Sequence, residues 1–288
     1  MYQKRIGKHG RPLESPVFFR GQKDFSFYDL SPGSEFRKYC DEYAKFIKEH
    51  QNYDILFVNV DVITDPELTW KVQKYFEEEH GIVPVPVVHF GTPMKYLDRY
   101  LEAGKYELVG IGGLGHGAPV DEYIVWADEV FCRICPESNR FYPIVKTHGF
   151  AIASWMIICR YPWYSVDSAT WVKYAAYGTI FVPVSDEDGT FDYDVPPIVL
   201  SFTEKSDAIR VKGGHYLNCS PSVKRMADRW IHHLGMTAEQ LASHYRYRLI
   251  ANVNYLKDLE ESRPPWPYPL DPKIIDRCSM RYRRGFGL

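Results

Sequence analysis

Short apolar runs alternate with longer amphipathic stretches through much of this chain. Ile55-Leu56-Phe57-Val58-Asn59-Val60 has the unbroken apolar character of a buried strand. Asp65-Pro66-Glu67 then opens a helix whose Leu68, Val72, Tyr75 and Phe76 share one face before Gly81 stops it. The unit recurs at once. Val85-Pro86-Val87-Val88-His89 is the next strand, Thr92-Pro93 starts a helix with Leu97, Tyr100 and Leu101 on its apolar face, and Gly104 ends it. Leu108-Val109-Gly110-Ile111, Ile144-Val145-Lys146-Thr147 and Trp163-Tyr164-Ser165-Val166 continue the series, and Thr179-Ile180-Phe181-Val182-Pro183-Val184 resumes as a strand. Repeated βα units without a dinucleotide fingerprint predict an α/β fold of the (β/α)8 TIM-type barrel class, with an open doubly wound sheet as the alternative.

The second half departs from this rhythm. Ile198-Val199-Leu200-Ser201-Phe202 and Ala208-Ile209-Arg210-Val211, separated by Thr203-Glu204-Lys205-Ser206-Asp207, read as a hairpin inside a β-rich insertion over 185–221. From 222 to 262 the pattern turns helical. Met226, Trp230 and Leu234, then Leu241, Tyr245, Leu249, Val253 and Leu256, predict two long helices closing a single domain that spans 1–288. The last stretch, 263–288, is rich in proline over 264–269 and then carries Arg277, Arg281, Arg283 and Arg284. It reads as an extended tail with a solvated basic end, phosphate contact being the sharper alternative.

Composition sets limits on partners. A chain of 288 residues, 45% hydrophobic and 25% charged, can bury a large core, and a net charge of -2 means that any nucleic-acid contact must come from a local patch. No charged-then-apolar leader and no run of eighteen apolar residues is seen, so neither secretion nor membrane spanning is expected, and a cytoplasmic location is. The six cysteines, at 40, 132, 135, 159, 219 and 278, are scattered in a way that fits reduced thiols better than a disulfide framework.

Polar and small residues collect where the predicted strands end, which is where a barrel keeps its ligand site. Asp61 follows the first strand, His89 the second, Gly112-Gly113-Leu114-Gly115-His116-Gly117 the third, His148-Gly149-Phe150 the fourth and Asp167 the fifth. The glycines allow a ligand close to the backbone, although most such loops are only tight turns. Asp167 is a candidate nucleophile, and the competing reading makes it the N-cap of the next helix. Imidazoles and carboxylates also suit a metal-dependent barrel hydrolase, but no His-x-His pair is present. Cys132-Arg133-Ile134-Cys135 is a lone CxxC, and a structural zinc would need Cys159 or Cys219 brought to it by the fold. Of the aromatic residues near these ends, Phe90, Phe150, Trp163, Tyr164 and Trp171, most are expected in the core.

Between about Phe25 and Glu261 these motifs, in this order, resemble the tRNA-guanine transglycosylase superfamily, and more closely its phage-type members that exchange guanine for a 7-deazaguanine in DNA. The segment from Asp167 to Gly178 is similar to the family's Asp-Cys-Val-x-Pro-Thr-Arg-x-Ala-Arg-x-Gly, keeping the Asp, an Ala and the Gly in register. Gly112-Gly113-Leu114 is similar to its Gly-Gly-Leu base-contact loop. Val88-His89-Phe90 resembles Val-Gln-Gly with His in place of Gln, and Trp230-Ile231-His232-His233-Leu234 resembles Tyr-Leu-His-His-Leu.

The resemblance implies Asp167 as nucleophile, a base pocket formed by Asp61, His89, Gly112, Gly113, Leu114, His148, Gly149 and Phe150, and DNA together with a free 7-deazaguanine such as preQ0 as partners. Transfer RNA is a less favoured substrate. The family's zinc site has only Cys219 here, so no metal and no cofactor are expected. Its general base lies in an early Asp-Ser-Gly-(Ala/Gly)-Phe segment, and this chain has Gly21-Gln22-Lys23-Asp24-Phe25 instead, which leaves Asp24 or Asp61 for that role. The altered segment also motivates a rival reading, a non-catalytic nucleic-acid-binding or partner subunit of the same superfamily.

Overall fold

The computed structural model describes residues 28–113, 119–205, 210 and 213–276. It is a mixed α/β structure that divides into two compact units, Met1–Ala151 with Trp163–Val166 and Pro269–Leu288, and Ile152–Pro162 with Asp167–Tyr268.

In the first unit, helices α1 (Glu35–His50) and α2 (Pro66–His80) precede strand β1 (Val87–His89), followed by α3 (Met94–Glu102), β2 (Leu108–Gly112), α4 (Val120–Ile134), β3 (Lys146–Gly149) and β4 (Ser165–Val166). The four strands are all parallel and lie side by side in chain order, without the reversal that creates a switch point in doubly wound sheets. Predicted helix punctuation is found in place. Asp65 caps α2 by accepting from Leu68 N at 2.9 Å, Pro66 takes the first turn where its missing N–H costs nothing, and Gly81 ends the helix at φ 64°. The α2 face that turns inward is Val72 and Phe76 with the polar Thr69 and Gln73, packed against Phe36, Cys40, Ala44 and Ile47 of α1.

The predicted strand over 55–60 is reduced to a single parallel bridge, Val58 to Val85, flanked by Asn59 N to Val85 O at 2.9 Å and Val85 N to Phe57 O at 2.8 Å. Leu56 is 70% exposed, so this run is not buried on both sides, and the one neighbour it has among the described residues gives it little ladder to join.

Glu77 fastens α2 to the approach to β2. Its nearly buried carboxylate accepts from Lys105 Nζ at 2.7 Å, Tyr106 OH at 2.5 Å, Gln73 Nε2 at 3.1 Å and Lys74 Nζ at 3.2 Å. Burial alone would raise its pKa, but these four donors outweigh it and hold the group below the ordinary value.

In the second unit, α5 (Trp155–Arg160) and α6 (Thr170–Ala176) are followed by β5 (Thr179–Val182), β6 (Val184–Ser185), β7 (Phe191–Asp192) and β8 (Ile198–Ser201), then α7 (Pro221–His233), α8 (Ala238–Ser243) and α9 (Tyr245–Ser262). The strands pair antiparallel, β5 with β8 and β6 with β7. The run at 198–202 pairs antiparallel with β5, and 208–211, its expected hairpin partner, lies mostly outside the described residues; β6 and β7 form a hairpin that turns at Gly189 with φ 90°. Pro183, which has no N–H for a ladder, separates β5 from β6. The two long C-terminal helices are three. The chain breaks at His244, which is extended and caps α9 through Nδ1 to Arg246 N.

The buried face of α9 is Arg248, Ala251, Asn252, Tyr255 and Leu259, while Val253 points to solvent. Arg248 donates to Ala175 O at 2.7 Å, to Leu241 O, and to Ala242 O at 3.4 Å. Those carbonyls belong to the last turns of α6 and α8, where no intrahelical donor remains and a cation is favoured. Asn252 donates to Trp171 O and Thr179 O and accepts from Phe181 N at 2.8 Å. One side chain thus joins α6, β5 and α9. Apolar residues pack around these bonds, among them Ile180, Val182, Leu200, Trp230 and Leu241.

Among the described residues no helix is long and apolar enough to cross a membrane. Cys40, Cys135, Cys159 and Cys219 are free, but Cys132 is disulfide-bonded, which corrects the expectation of reduced thiols throughout.

Arg248→Met is expected to destabilise the protein by about 2–4 kcal/mol, because it removes the guanidinium donors from the Leu241 and Ala242 carbonyls and leaves Ala175 O only its backbone donors, and urea denaturation measures the loss. Glu77→Gln is expected to cost about 1–3 kcal/mol at pH 7. Because the folded pKa of Glu77 is depressed, that contribution is present above the unfolded carboxylate value of about 4.3 and is lost as pH falls through the folded value. Wild type and variant therefore converge in acid urea titrations.

Candidate functional site

Residues in register across a parallel sheet point to the same face. Gly110 is opposite Val87 on one side and His148 on the other, Gly112 is opposite His89, and Ser165 is opposite His148. One face of the first unit's sheet therefore carries His89, Gly110, Gly112, His148 and Ser165 toward its C-terminal end. The opposite face carries Val88, Val109, Ile111 and Thr147, all buried.

The alternate glycines of β2 shape the polar face. A β-carbon on Gly110 would lie 2.4 Å from the Phe150 ring, and one on Gly112 would lie 2.9 Å from His89 Nδ1. Both rings thus rest on bare backbone. Gly113 follows at φ 108°, with Phe90 N 2.7 Å from where its β-carbon would be, so this turn admits only glycine. Backbone bonds from Phe90 N to Gly112 O at 3.0 Å and Phe150 N to Ile111 O at 2.8 Å carry the sheet's spacing into the loops beyond β1 and β3.

Asp61 and His89 meet directly, Nε2 of the imidazole donating to Oδ2 of the carboxylate. The His89 side chain is 11% exposed and Asp61 27%, so the carboxylate is the outer partner. His89 Nδ1 is buried and has no hydrogen-bond partner among the described residues. Tyr39 and Tyr100 have raised pKa values, first from burial, then from the charges of Cys40 and Glu77 respectively, with a smaller contribution from Asp61. His148 Nδ1 is hydrogen-bonded to Ser165 Oγ at 2.9 Å, and its ring stands edge-on to Phe150 at 4.7 Å.

Asp167 directly follows β4 in the chain, half-buried, as the first residue of its segment of the second unit. It is not a helix cap. The N-cap of α6 is Ala169, with no side-chain bond, and Thr170 N is taken by Ser168 Oγ at 3.0 Å.

Of the residues singled out from sequence, Asp61, His89, Gly112 and Gly113 form one cluster and His148, Gly149 and Phe150 another on neighbouring strands. Asp24, Leu114, His116, Gly117 and the arginines beyond 276 lie outside the described residues. Two contributors were missed. Ser165 was read only as part of a strand, although its register with His148 follows once β3 and β4 are paired. Gly110 was read as strand filler, whereas its spacing of two from Gly112 is the signal of a face without side chains. Trp163 packs edge-on against Phe131, and Phe90 lies against Tyr123 and Trp126, as core aromatics do. Among the described residues no three His, Cys, Asp or Glu side chains are placed to hold a metal.

Comparison of the chain with protein-family models, with curated proteins and with solved structures finds no match.

Gly112→Ala is expected to push the imidazole off its seat and cost about 1–3 kcal/mol. In a His89→Ala background the same substitution should cost much less, since the clash is gone, and a double-mutant cycle in urea measures the difference.

Proposed function

We propose that this chain is a transglycosylase that exchanges guanine in DNA for a 7-deazaguanine base through a covalent aspartyl-glycosyl intermediate on Asp167. The observation that carries this reading is the C-terminal end of the parallel sheet, where an Asp61–His89 pair, bare glycine backbone and a His148–Ser165 pair share one region, and the chain runs from Ser165 to Asp167 in two residues. Parallel strands laid down in chain order also support a barrel of the (β/α)8 type, with β1 to β4 as an arc of it.

The chemistry explains the residue types. Breaking the bond between guanine and C1′ develops oxocarbenium character at carbon, which a carboxylate stabilises and then captures. Asp167 has that capacity as a carboxylate. A planar base needs close backbone approach and flat partners, which Gly112, Gly113 and Phe150 offer. A base stacked in duplex DNA must be flipped out to reach any such pocket. The incoming base is a free 7-deazaguanine such as preQ0, and a cytoplasmic setting, host cytoplasm for a phage enzyme, fits a DNA substrate.

Purified protein incubated with duplex DNA and labelled guanine is expected to incorporate label, and mass spectrometry of a trapped complex should find the adduct on the peptide containing Asp167. Asp167→Asn should lower exchange by about a thousandfold or more. Wild-type protein that incorporates no label, or an Asn variant that exchanges normally, overturns the proposal.

A further inference from the structure

Helix α9 carries apolar residues on a side that its own unit does not cover. Tyr245, Leu249, Val253 and Leu256 recur at the spacing of a buried face, yet the helix turns Arg248, Ala251, Asn252, Tyr255 and Leu259 inward. The outer side is left with Ile250 at 47% and Val253 at 44% exposure, flanked by the half-buried Leu249 and Leu256. We infer that this side of α9 docks a second copy of the chain, the two α9 helices crossing antiparallel about a two-fold axis near Val253.

The charges along the helix point to that occupant. Arg246 lies two turns before Val253 and Glu260 two turns after it, so the three share one line on the outer side. Both charged residues are exposed, and among the described residues neither side chain is in an ion pair, whereas neighbouring Lys257 pairs with Glu261 at 3.4 Å. On one helix Arg246 and Glu260 are about 21 Å apart, too far to meet each other. In an antiparallel pair each Arg246 comes opposite Glu260 of the other copy, and Val253 packs on its own equivalent. Ile250 then falls against Leu256, and Leu249 against the methylene stem of Lys257. A surface that matches itself in this way is what an isologous interface requires. DNA fits it less well, because Glu260 and Glu261 would face the phosphates. A helix pair about 27 Å long is a small interface, so the dimer is expected to be reversible, with a dissociation constant of about 1–100 μM.

Sedimentation equilibrium of the full chain from about 1 to 200 μM tests this. Wild type is expected to dimerise reversibly. Arg246→Glu and Glu260→Arg each set like charges against one another at both ends of the interface, and each is expected to weaken association about tenfold or more. Mixed in equal amounts, the two variants restore opposite charges at both ends, so their heterodimer is expected within about threefold of wild type. Such rescue cannot arise inside one chain. Val253→Asp is expected to leave only monomer, and Val253→Ser, gentler at an exposed helix position, to weaken the dimer about threefold or more. Urea midpoints near that of wild type show that the variants fold. A wild type that stays monomeric over the whole range, a dimer that both Val253 variants leave intact, or a mixture that associates no more tightly than either charge variant alone overturns the inference. The transglycosylase reading is independent of it, and none of these outcomes touches that reading.

Discussion

Two missing β-carbons set the geometry of the candidate site. On β2 the face that carries His89 and His148 on the neighbouring strands carries only hydrogens at Gly110 and Gly112, and two aromatic rings occupy the space. Any larger residue would have to displace the Phe150 ring or the imidazole. The imidazole's position in turn fixes the rotamer of Asp61. A strand interior normally loses stability at glycine, because the unfolded chain has more freedom to lose and no side chain packs in return. Here the two glycines exchange that loss for direct contact between ring and backbone, and the polar cluster depends on it.

Much of the first unit was legible in the sequence because its signals are local. Asp65-Pro66 and Gly81 bound α2 to the residue, and Val72 and Phe76 are on the buried face as their spacing implies. The strand ends were legible for the same reason: each apolar run stops at a polar or small residue, and three of those stops, His89, Gly112 and His148, share one face toward one end of one sheet. What could not be read was pairing. Whether Gly110 faces His148 or the helices depends on register between strands thirty and more residues apart, and no local pattern carries that. The edge run at 55–60 misled for a related reason, since apolar character was taken as burial on both sides and Leu56 is largely solvent-exposed.

The second unit shows where hydrophobic periodicity fails. The apolar positions of α9 suggested Leu249, Val253 and Leu256 as its inner face, but the helix turns Arg248 and Asn252 inward instead. Both are used as hydrogen-bonding parts. Arg248 closes two helix C-termini at once, and Asn252 supplies a donor and an acceptor to strand β5 and a donor to helix α6. A residue that satisfies backbone groups from other elements looks, in sequence, like any surface polar residue. The partner of β8 on one edge was likewise not legible locally: the fold pairs it with β5, 19 residues before it from Thr179 to Ile198.

Asn252 has a further consequence, for the order in which the second unit is assembled. Its partners Phe181 and Trp171 lie 71 and 81 positions earlier in the chain. Until α9 has been synthesised and has closed that loop, the amide of Phe181 and the carbonyl of Trp171 lack the side chain that satisfies them. Contacts of such separation are slow to form because loop closure must precede the bond that rewards it. Folding of β5 and α6 is thereby tied to a helix that leaves the ribosome some seventy residues later, and a nascent chain stalled before 245 would hold these segments without their closing partner.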